Sequence, residues 1–572
     1  MDFHKFVQLS STFSGNNTNI TNMNADRSSS ESGESDIECE EDDIANNELD
    51  LDLSDTDDLN PDDGDEVSLD VDNPSYNWSD DLNPVEIEMF TSGVGPNMGD
   101  INLNYKSQPI DFFKLFFSDE LLELIANQTN LYAVQASAKN FTPVSMIDVS
   151  TFIYINMMFG IHKLPAYHLY WSTDNLFRVP CVADVMSRNR YQEISRYFHL
   201  ADNTKYIPKG QINYDPLFKI RPAITTIQFA CKEYFRPGTA ISFDEAMIPF
   251  RGRLSFKQYI KGKPHPWGVK VWCACDSATS YLLDFEFYAG KSDTALPNGL
   301  GYHVIWSLGQ RFLHKYHHFY YDNFFSSIKL SVDLMTNDTY SCGTIRQNRK
   351  HWPKELTGKL KVNHCEWRQI DNLVACWWRD KRAISMLSTN ASPVWNTASR
   401  RTKDGAADKQ IPQAVLVYNA NMGGVDRHDQ LRSYYPIGRK SHKWWRCCLW
   451  FLLEVAVLNS YILFCNIPRP PTVKPLTHLQ YHMSVARSLM KGSSRKRIQR
   501  ESTTTVGLAV SGASVEHHRI RLPGRKKVCY QCRQKDVRTE GSRRPETVFG
   551  CVLCNTHLCD ELCFAQFHVQ LK

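Results

Sequence analysis

TAISFDEAMIPFRGR, residues 239–253, runs β-branched and aromatic positions up to one aspartate, Asp244, and places two arginines shortly after it. A buried strand delivers a carboxylate to its tip in this way. HHFYYDNFF, 317–325, repeats the device around Asp322. A third aspartate, Asp426, lies just past a Gly-Gly pair in MGGVDRHDQ, 422–430, where the pattern turns helical. Asp429 follows it at i+3, on the same helix face. Carboxylates converging from separate elements repel one another unless hard cations sit between them. An oxygen-only site of this kind suits Mg²⁺ or Mn²⁺. Two such ions, roughly 3.5–4 Å apart, clamp the attacking and leaving oxygens of a phosphoryl transfer.

Around these aspartates the chain divides by charge. The 572 residues exceed one domain, and three or four are expected. Residues 1–105 hold 27 Asp+Glu against only Lys5 and Arg27, a net −25. The remainder holds 63 Lys+Arg against 36 Asp+Glu, a net +27. An acidic arm on a basic body is the pattern of a nucleic-acid binder with a solvating or self-masking tail. The arm's almost aromatic-free acidic tract cannot bury a core and reads as disordered. MDFHKFVQLSS carries no signal-peptide pattern. The apolar run CCLWFLLEVAVLNSYILF, 447–464, is long enough to cross a bilayer, but Glu454 and Asn459 inside it favour a buried core helix and no membrane.

Periodicity orders the rest. From 109 to 235 apolar residues recur at helical spacing, as in DFFKLFFSDELLELIANQTNLYA (111–133) behind Ser118. From 239 to 345 the chain reads as strands, and LVACWWRD (373–380) and AISMLST (383–389) add short ones. Helical periodicity returns over 430–490, before a Ser/Lys/Arg-rich stretch.

Basic and aromatic residues interleave beside the first aspartate. Arg251, Arg253, Lys257, Lys261, Lys263 and Lys270 alternate with Phe250, Phe256, Tyr259 and Trp267, with no acidic residue over 251–270. Cations bind phosphates and aromatic faces stack on unpaired bases, so a phosphodiester substrate is indicated. Residues 427–446 repeat the combination, with Arg439, Lys440 and Lys443 as candidate DNA contacts. Near the C-terminus stand Cys529-x2-Cys532, Cys551-x2-Cys554, His557 and Cys559-x3-Cys563-x4-His568. Eight N/S ligands are two tetrahedral Zn²⁺ sites, and so short a module has too little core to fold without metal. A cross-brace is expected, with the first and third ligand pairs on one ion and the second and fourth on the other.

The motifs SFDEAMIPFRGRLSFKQYIKGKPHPWGVKVW, YYDNFFSS, GTIRQNRK, YNANMGGVDRHDQ and the terminal CDELCFAQFH resemble those of piggyBac transposases and their domesticated derivatives, from about residue 108 to the C-terminus. The resemblance implies an α/β multidomain protein. Its parts would be an acidic arm (1–105), a helical dimerisation and DNA-binding domain in two pieces (106–236 and 431–490) and a ribonuclease-H-like catalytic core in two pieces (237–352 and 416–430). A β-rich insertion (353–415), a basic linker (491–528) and a zinc finger (529–572) complete it. The catalytic triad falls on Asp244, Asp322 and Asp426, and Asp429 matches a further acidic position of the active site, a fourth candidate Mg²⁺ ligand. His557 is the zinc ligand that the resemblance supports least. A nuclear homodimer is implied, acting on double-stranded DNA, namely transposon ends and TTAA targets. A catalytically silent chromatin or DNA-binding protein, and a metal-dependent nuclease without strand transfer, are the competing readings.

Overall fold

In the computed structural model, the apolar runs beyond residue 239 assemble into one nine-stranded sheet. Residues 76–490 and 519–569 are described, apart from 262, 264, 292–295, 403–404, 523–525, 540, 552–553 and 555. The strands are β1 (Ala240–Pro249), β2 (Gln258–Tyr259), β3 (Trp267–Asp276), β4 (Leu282–Phe287) and β5 (His318–Tyr321). They continue with β6 (Tyr340–Thr344), β7 (His364–Ile370), β8 (Leu373–Arg379) and β9 (Ala383–Ser388). Their order is β2-β3-β1-β5-β6-β9-β8-β7, with β4 also paired to β3. The pairs β1–β3 and β3–β4 are antiparallel, whereas β1–β5 and β5–β6 are parallel. β1, β3 and β5 are apolar along most of their length because both faces of the sheet are covered.

Residues 353–415, expected as a β-rich insertion, are rich in strands. β7, β8 and β9 lie within them, yet they extend the main sheet from β6, with Met386 opposite Thr344. That pairing satisfies the outer edge of β6, which would otherwise present unpaired backbone groups. The ribbon Trp395–Thr402 with Gly405–Pro412 is a separate two-stranded sheet.

Six longer helices matter for the site: α1 (Asp119–Gln135), α2 (Met146–Ile161), α3 (Gln413–Asn421), α4 (Gly424–Ser433), α5 (Trp444–Asn466) and α6 (His478–Met490). Ser118 caps α1, and a reciprocal Ser145–Asp148 box caps α2, which is why those helices begin there. Residues from 112 to 235 and from 444 to 490 share one apolar core with the sheet. The Tyr481 hydroxyl donates to the Pro109 carbonyl at 3.1 Å, and the Gly438 N–H donates to the Asn156 carbonyl at 3.0 Å. α5, apolar and long enough to span a membrane, is mostly buried within this core. Its Asn459 side chain bonds both the N–H and the carbonyl of Leu282 at 3.0 and 2.8 Å, like an extra rung beside β4.

Two boundaries move. Residues 76–105, expected to belong to the acidic arm, run over the body of the protein. Trp78 Nε1 donates to the His351 carbonyl at 3.0 Å, and Tyr76 and Trp78 pack on a cluster holding Ile345, Trp352 and Trp377. The Glu88 N–H then meets the Tyr340 hydroxyl at 2.7 Å, and Gly95–Pro96 pairs with Phe235–Arg236. Two aromatic anchors supply the apolar burial that the acidic tract before them lacks. Residues 1–75 lie outside the described residues.

The second boundary lies near the C-terminus. Compact units divide between residues 497 and 498. In the second, Arg519–Arg521, expected in the linker, pairs with Phe549–Cys551, which pairs in turn with Thr556–His557. A helix, α7 (Glu561–Val569), closes the chain.

Candidate active site

β1 and β5 run parallel in a register that sets Phe243 opposite Tyr321. The next residues are Asp244 and Asp322, side by side where the two strands part, and strands in such a pair lie about 4.8 Å apart. Asp322 Oδ1 accepts the Phe324 N–H at 2.9 Å, turning the chain out of the sheet. Asp426 arrives from the first turn of α4. That helix packs on β1 and β3, and its approach is closest at Gly424, where a Cβ would lie 2.1 Å from Ser242 Oγ. The Asp426 charge is felt at Asp244, so the helix brings those two carboxylates near each other.

Asp244 feels the charges of the other two aspartates. Burial raises the proton affinity of Asp244 well above the usual carboxylate range, followed by the charges of Glu245, Asp322 and Asp426. Asp322 is also raised, by burial and then Glu245, while Lys270 and Arg346 oppose the rise. Among the described residues, the clusters with all ligand atoms within 4.8 Å of one another are the Cys/His groups below, so the aspartates are set more widely. Oxygen donors of this kind, half-buried at Asp244 and Asp322 and exposed at Asp426, fit hard divalent cations.

Sequence reasoning missed the residues that hold this arrangement. Arg349 Nη2 donates to the carbonyls of Asn323 and Phe324 at 3.2 and 2.7 Å, and Arg346 Nε to Asn323 Oδ1 at 3.1 Å. The signal was present as two arginines in GTIRQNRK, but nothing local said which loop they serve. His428 Nδ1 bonds the Ser280 carbonyl at 2.9 Å, and Arg427 Nη2 donates to the Ser277 carbonyl, tying α4 to the turn after β3. Burial pushes the His428 imidazole down to about 4, so this tie is made by a neutral ring near pH 7.

In the C-terminal unit Cys529, Cys532, Cys559 and Cys563 form one cluster. Cys532 Sγ lies 3.5 Å from Cys559 Sγ and 3.7 Å from Cys563 Sγ, and those two are 3.5 Å apart. Four thiolates about 2.3 Å from a tetrahedral Zn²⁺ would stand nearly that far from one another. Cys551, Cys554 and His568 form a second cluster, with Cys554 Sγ 3.5 Å from His568 Nε2. The clusters interleave along the chain, but Cys559 is joined by Cys563 instead of His557, and His557 enters neither cluster. It faces Gly550 across its strand pair while Cys551 faces Thr556, and neighbouring residues of a strand point to opposite faces.

A family profile described as transposase IS4 matches residues 108–461. This chain belongs to that family, in its piggyBac branch. It is 28% identical over 391 residues to the Homo sapiens PiggyBac transposable element-derived protein 3, covering 66% of this chain and 64% of that protein. It is 26% identical over 429 residues to the human PiggyBac transposable element-derived protein 2, covering 71% and 70%. The first match therefore spans just under two thirds of its relative's length. The structure of a piggyBac transposase synaptic complex with hairpin DNA aligns with a TM-score of 0.63 at 23% identity, over 82% of this chain and 100% of that one.

In this piggyBac-branch chain the nine candidate DNA-binding cations have different occupations. Arg251, Arg253, Lys261 and Lys440 are exposed. Lys257 sits 5.0 Å over the exposed Trp267 ring, which packs on exposed Tyr259 at 4.9 Å. Phe250 and Phe256, by contrast, are core. Lys263 lies 3.9 Å from a Glu245 carboxylate oxygen. Lys270 lies 3.7 Å over Trp272 and 4.8 Å over Phe324, an internal counter-charge to the carboxylates. Arg439 donates to the carbonyls of Leu164 and Pro165 at 3.1 and 3.0 Å, so two of its five N–H donors fasten backbone. Lys443 is half-buried at the start of α5.

Proposed function

We propose that this chain is a DNA transposase of piggyBac type, or a derivative of one, that cuts and joins DNA by metal-dependent phosphoryl transfer. The observation that carries the reading is the placing of Asp244 and Asp322 side by side where two parallel strands part, with Asp426 on the helix packed against β1 and β3. The proton affinity of Asp244 is raised by burial, by Glu245 and then by the other two aspartates. The sheet order, three antiparallel strands continued by two parallel ones, supports a ribonuclease-H-like core.

The three aspartates would hold two Mg²⁺ or Mn²⁺ ions. Such ions, when bound, polarise the scissile phosphate and lower the pKa of water. The chain's own part is to fix the carboxylates before substrate arrives. Arg346 and Arg349 hold the loop that carries Asp322, and the turn after β3 holds α4. The exposed Arg251, Arg253, Tyr259, Lys261 and Trp267 flank the first aspartate with charge and ring faces suited to a splayed or nicked strand. The reaction read here is a nick at the transposon end, then attack of the freed 3′-OH on the opposite strand and later on a TTAA target, in successive in-line displacements. The aligned piggyBac transposase is a synaptic complex with hairpin DNA, and a hairpin is what the second of these steps would form. This chain would act as a homodimer. The two cysteine clusters would each take a Zn²⁺ and present a small end-binding module, and the protein would work in the nucleus.

Strand cleavage of a cognate end with Mg²⁺ tests the reading. Asp244→Asn, Asp322→Asn and Asp426→Asn should each abolish cleavage and joining, while end binding stays within about threefold, because the exposed cations and cysteine clusters are untouched. Binding without cleavage by the wild type would favour the silent DNA-binding alternative, and cleavage without joining the nuclease.

A further inference from the structure

Arg432, two turns beyond Asp426 on α4, is buried at a side-chain exposure of 10%. Its Nη2 donates to Asp429 Oδ1 at 2.8 Å and its Nη1 to Glu454 Oε2 at 2.6 Å. Its plane lies 4.4 Å over the Phe451 ring. The other Glu454 oxygen accepts the Ile437 N–H at 2.9 Å. Glu454 thus stands in the middle of apolar α5, and a carboxylate persists there only with such partners. One guanidinium serves two carboxylates from two helices, with both terminal nitrogens used.

On its other side α4 is fixed by Gly424 against Ser242, His428 on the Ser280 carbonyl and Arg427 on the Ser277 carbonyl. Asp426 is carried by the same ten-residue helix as both sets of contacts. We propose that Glu454 is a positioning residue for the active site, acting through Arg432 to set the roll of α4, and that Asp429 belongs to this Asp429–Arg432–Glu454 clamp and is not itself a metal ligand. The functional residue that the sequence offered as a membrane-excluding oddity would then be the far end of the catalytic helix's mounting. This rests on the reading of Asp426 as a metal-holding carboxylate.

The test uses the full chain and two readouts. In metal-free hydrogen exchange, Glu454→Gln should raise exchange of the 424–433 amides about tenfold or more while β1, β3 and β5 stay protected, and Glu454→Asp should largely restore protection. Arg432→Lys, which keeps the charge and loses the fork, should loosen the same segment, and it serves if Glu454→Gln fails to fold. Unchanged exchange over 424–433 in either variant overturns the proposal, whatever happens to metal.

In a Mn²⁺ titration read by the free-ion electron paramagnetic resonance signal, Asp426→Asn should abolish the site. Asp429→Asn and Glu454→Gln should each weaken it about tenfold, and the double variant no further than either alone, as for one connected support. Loss in Asp429→Asn as complete as in Asp426→Asn, with Glu454→Gln silent, would make Asp429 a ligand and end the proposal. A wild type without Mn²⁺ binding sensitive to Asp426→Asn would remove the metal reading instead, and the exchange result would still decide the clamp.

Discussion

Asp244 is a carboxylate kept where carboxylates are least comfortable, buried and beside Glu245, Asp322 and Asp426. Each unit by which its folded pKa exceeds the ordinary value of about 4 corresponds to about 1.4 kcal/mol of preference for the neutral form. A raised carboxylate contributes its full stability below the ordinary pKa and loses it as pH rises through the folded value. Metal-free wild type should therefore fall behind Asp244→Asn in thermal stability as pH climbs from about 4 to 8, by several degrees at the upper end. Saturating Mg²⁺ should close most of the gap. A difference in Tm that is flat with pH would show that the repulsion is relieved without metal. The gain in stability in a variant that cannot cleave is the trade expected of a strained site.

Elements decide whether such residues meet. α4 touches the sheet through Gly424, whose missing side chain lets the helix lie against Ser242. Gly424→Ala must push the helix outward or displace Ser242, costing about 1–3 kcal/mol. It should lower cleavage at least tenfold with little change in DNA affinity, while Gly423→Ala, where a Cβ meets nothing within 4 Å, should be much milder. Equal activity of the two variants would deny α4 its role. In the C-terminal unit, metal analysis should find two Zn²⁺ per chain, falling to about one in His568→Ala and staying at two in His557→Ala. Ser at Cys529 and Cys532 should cost the complete four-thiolate site and unfold 529–568 while leaving the sheet intact. A stoichiometry near one in the wild type would mean that three ligands do not hold the second ion.

Across the whole molecule, charge is segregated along the chain. Residues 1–75 carry 22 Asp+Glu against Lys5 and Arg27, a net −20. The chain enters the described structure at Tyr76, against the ring of His351 at 4.8 Å. His351 lies within 346–361, where Arg346, Arg349, Lys350, Lys354, Lys359 and Lys361 oppose only Glu355. Arg346 and Arg349 are the pair that hold the loop after Asp322. An acidic segment joined at that point should compete with DNA at high effective concentration. Deleting residues 1–75 should raise affinity for random duplex several-fold at low salt, and the advantage should shrink as salt rises. Superimposable salt titrations of the two chains would reduce the arm to a solubiliser.

What the sequence settled by itself was local chemistry: which β-rich runs carry Asp244 and Asp322, which long apolar helix holds a carboxylate at its centre, and which cysteines come in ligand pairs. Those follow from side-chain pattern within a few residues, and so does the resemblance to piggyBac transposases, carried by contiguous motifs. The strand tip expected at Asp244 is corrected, because β1 continues to Pro249 and only its pairing with β5 stops before that aspartate. Only the tertiary structure could decide partnership. Lys270 and Arg439 read as DNA-facing cations until packing placed one among rings and carboxylates and the other on backbone carbonyls. His557 read as a ligand until strand register turned it away from Cys551. Residues 353–415 read as a β-rich insertion, and only the fold shows that three of its strands extend the main sheet from an open edge. Residues 76–105 read as acidic arm until Tyr76 and Trp78 found a core. Glu454 and Arg432 are 22 positions apart, and nothing in either neighbourhood names the other. Their pairing exists because α5 buries a carboxylate that must find a cation, and the fold brings one within 2.6 Å.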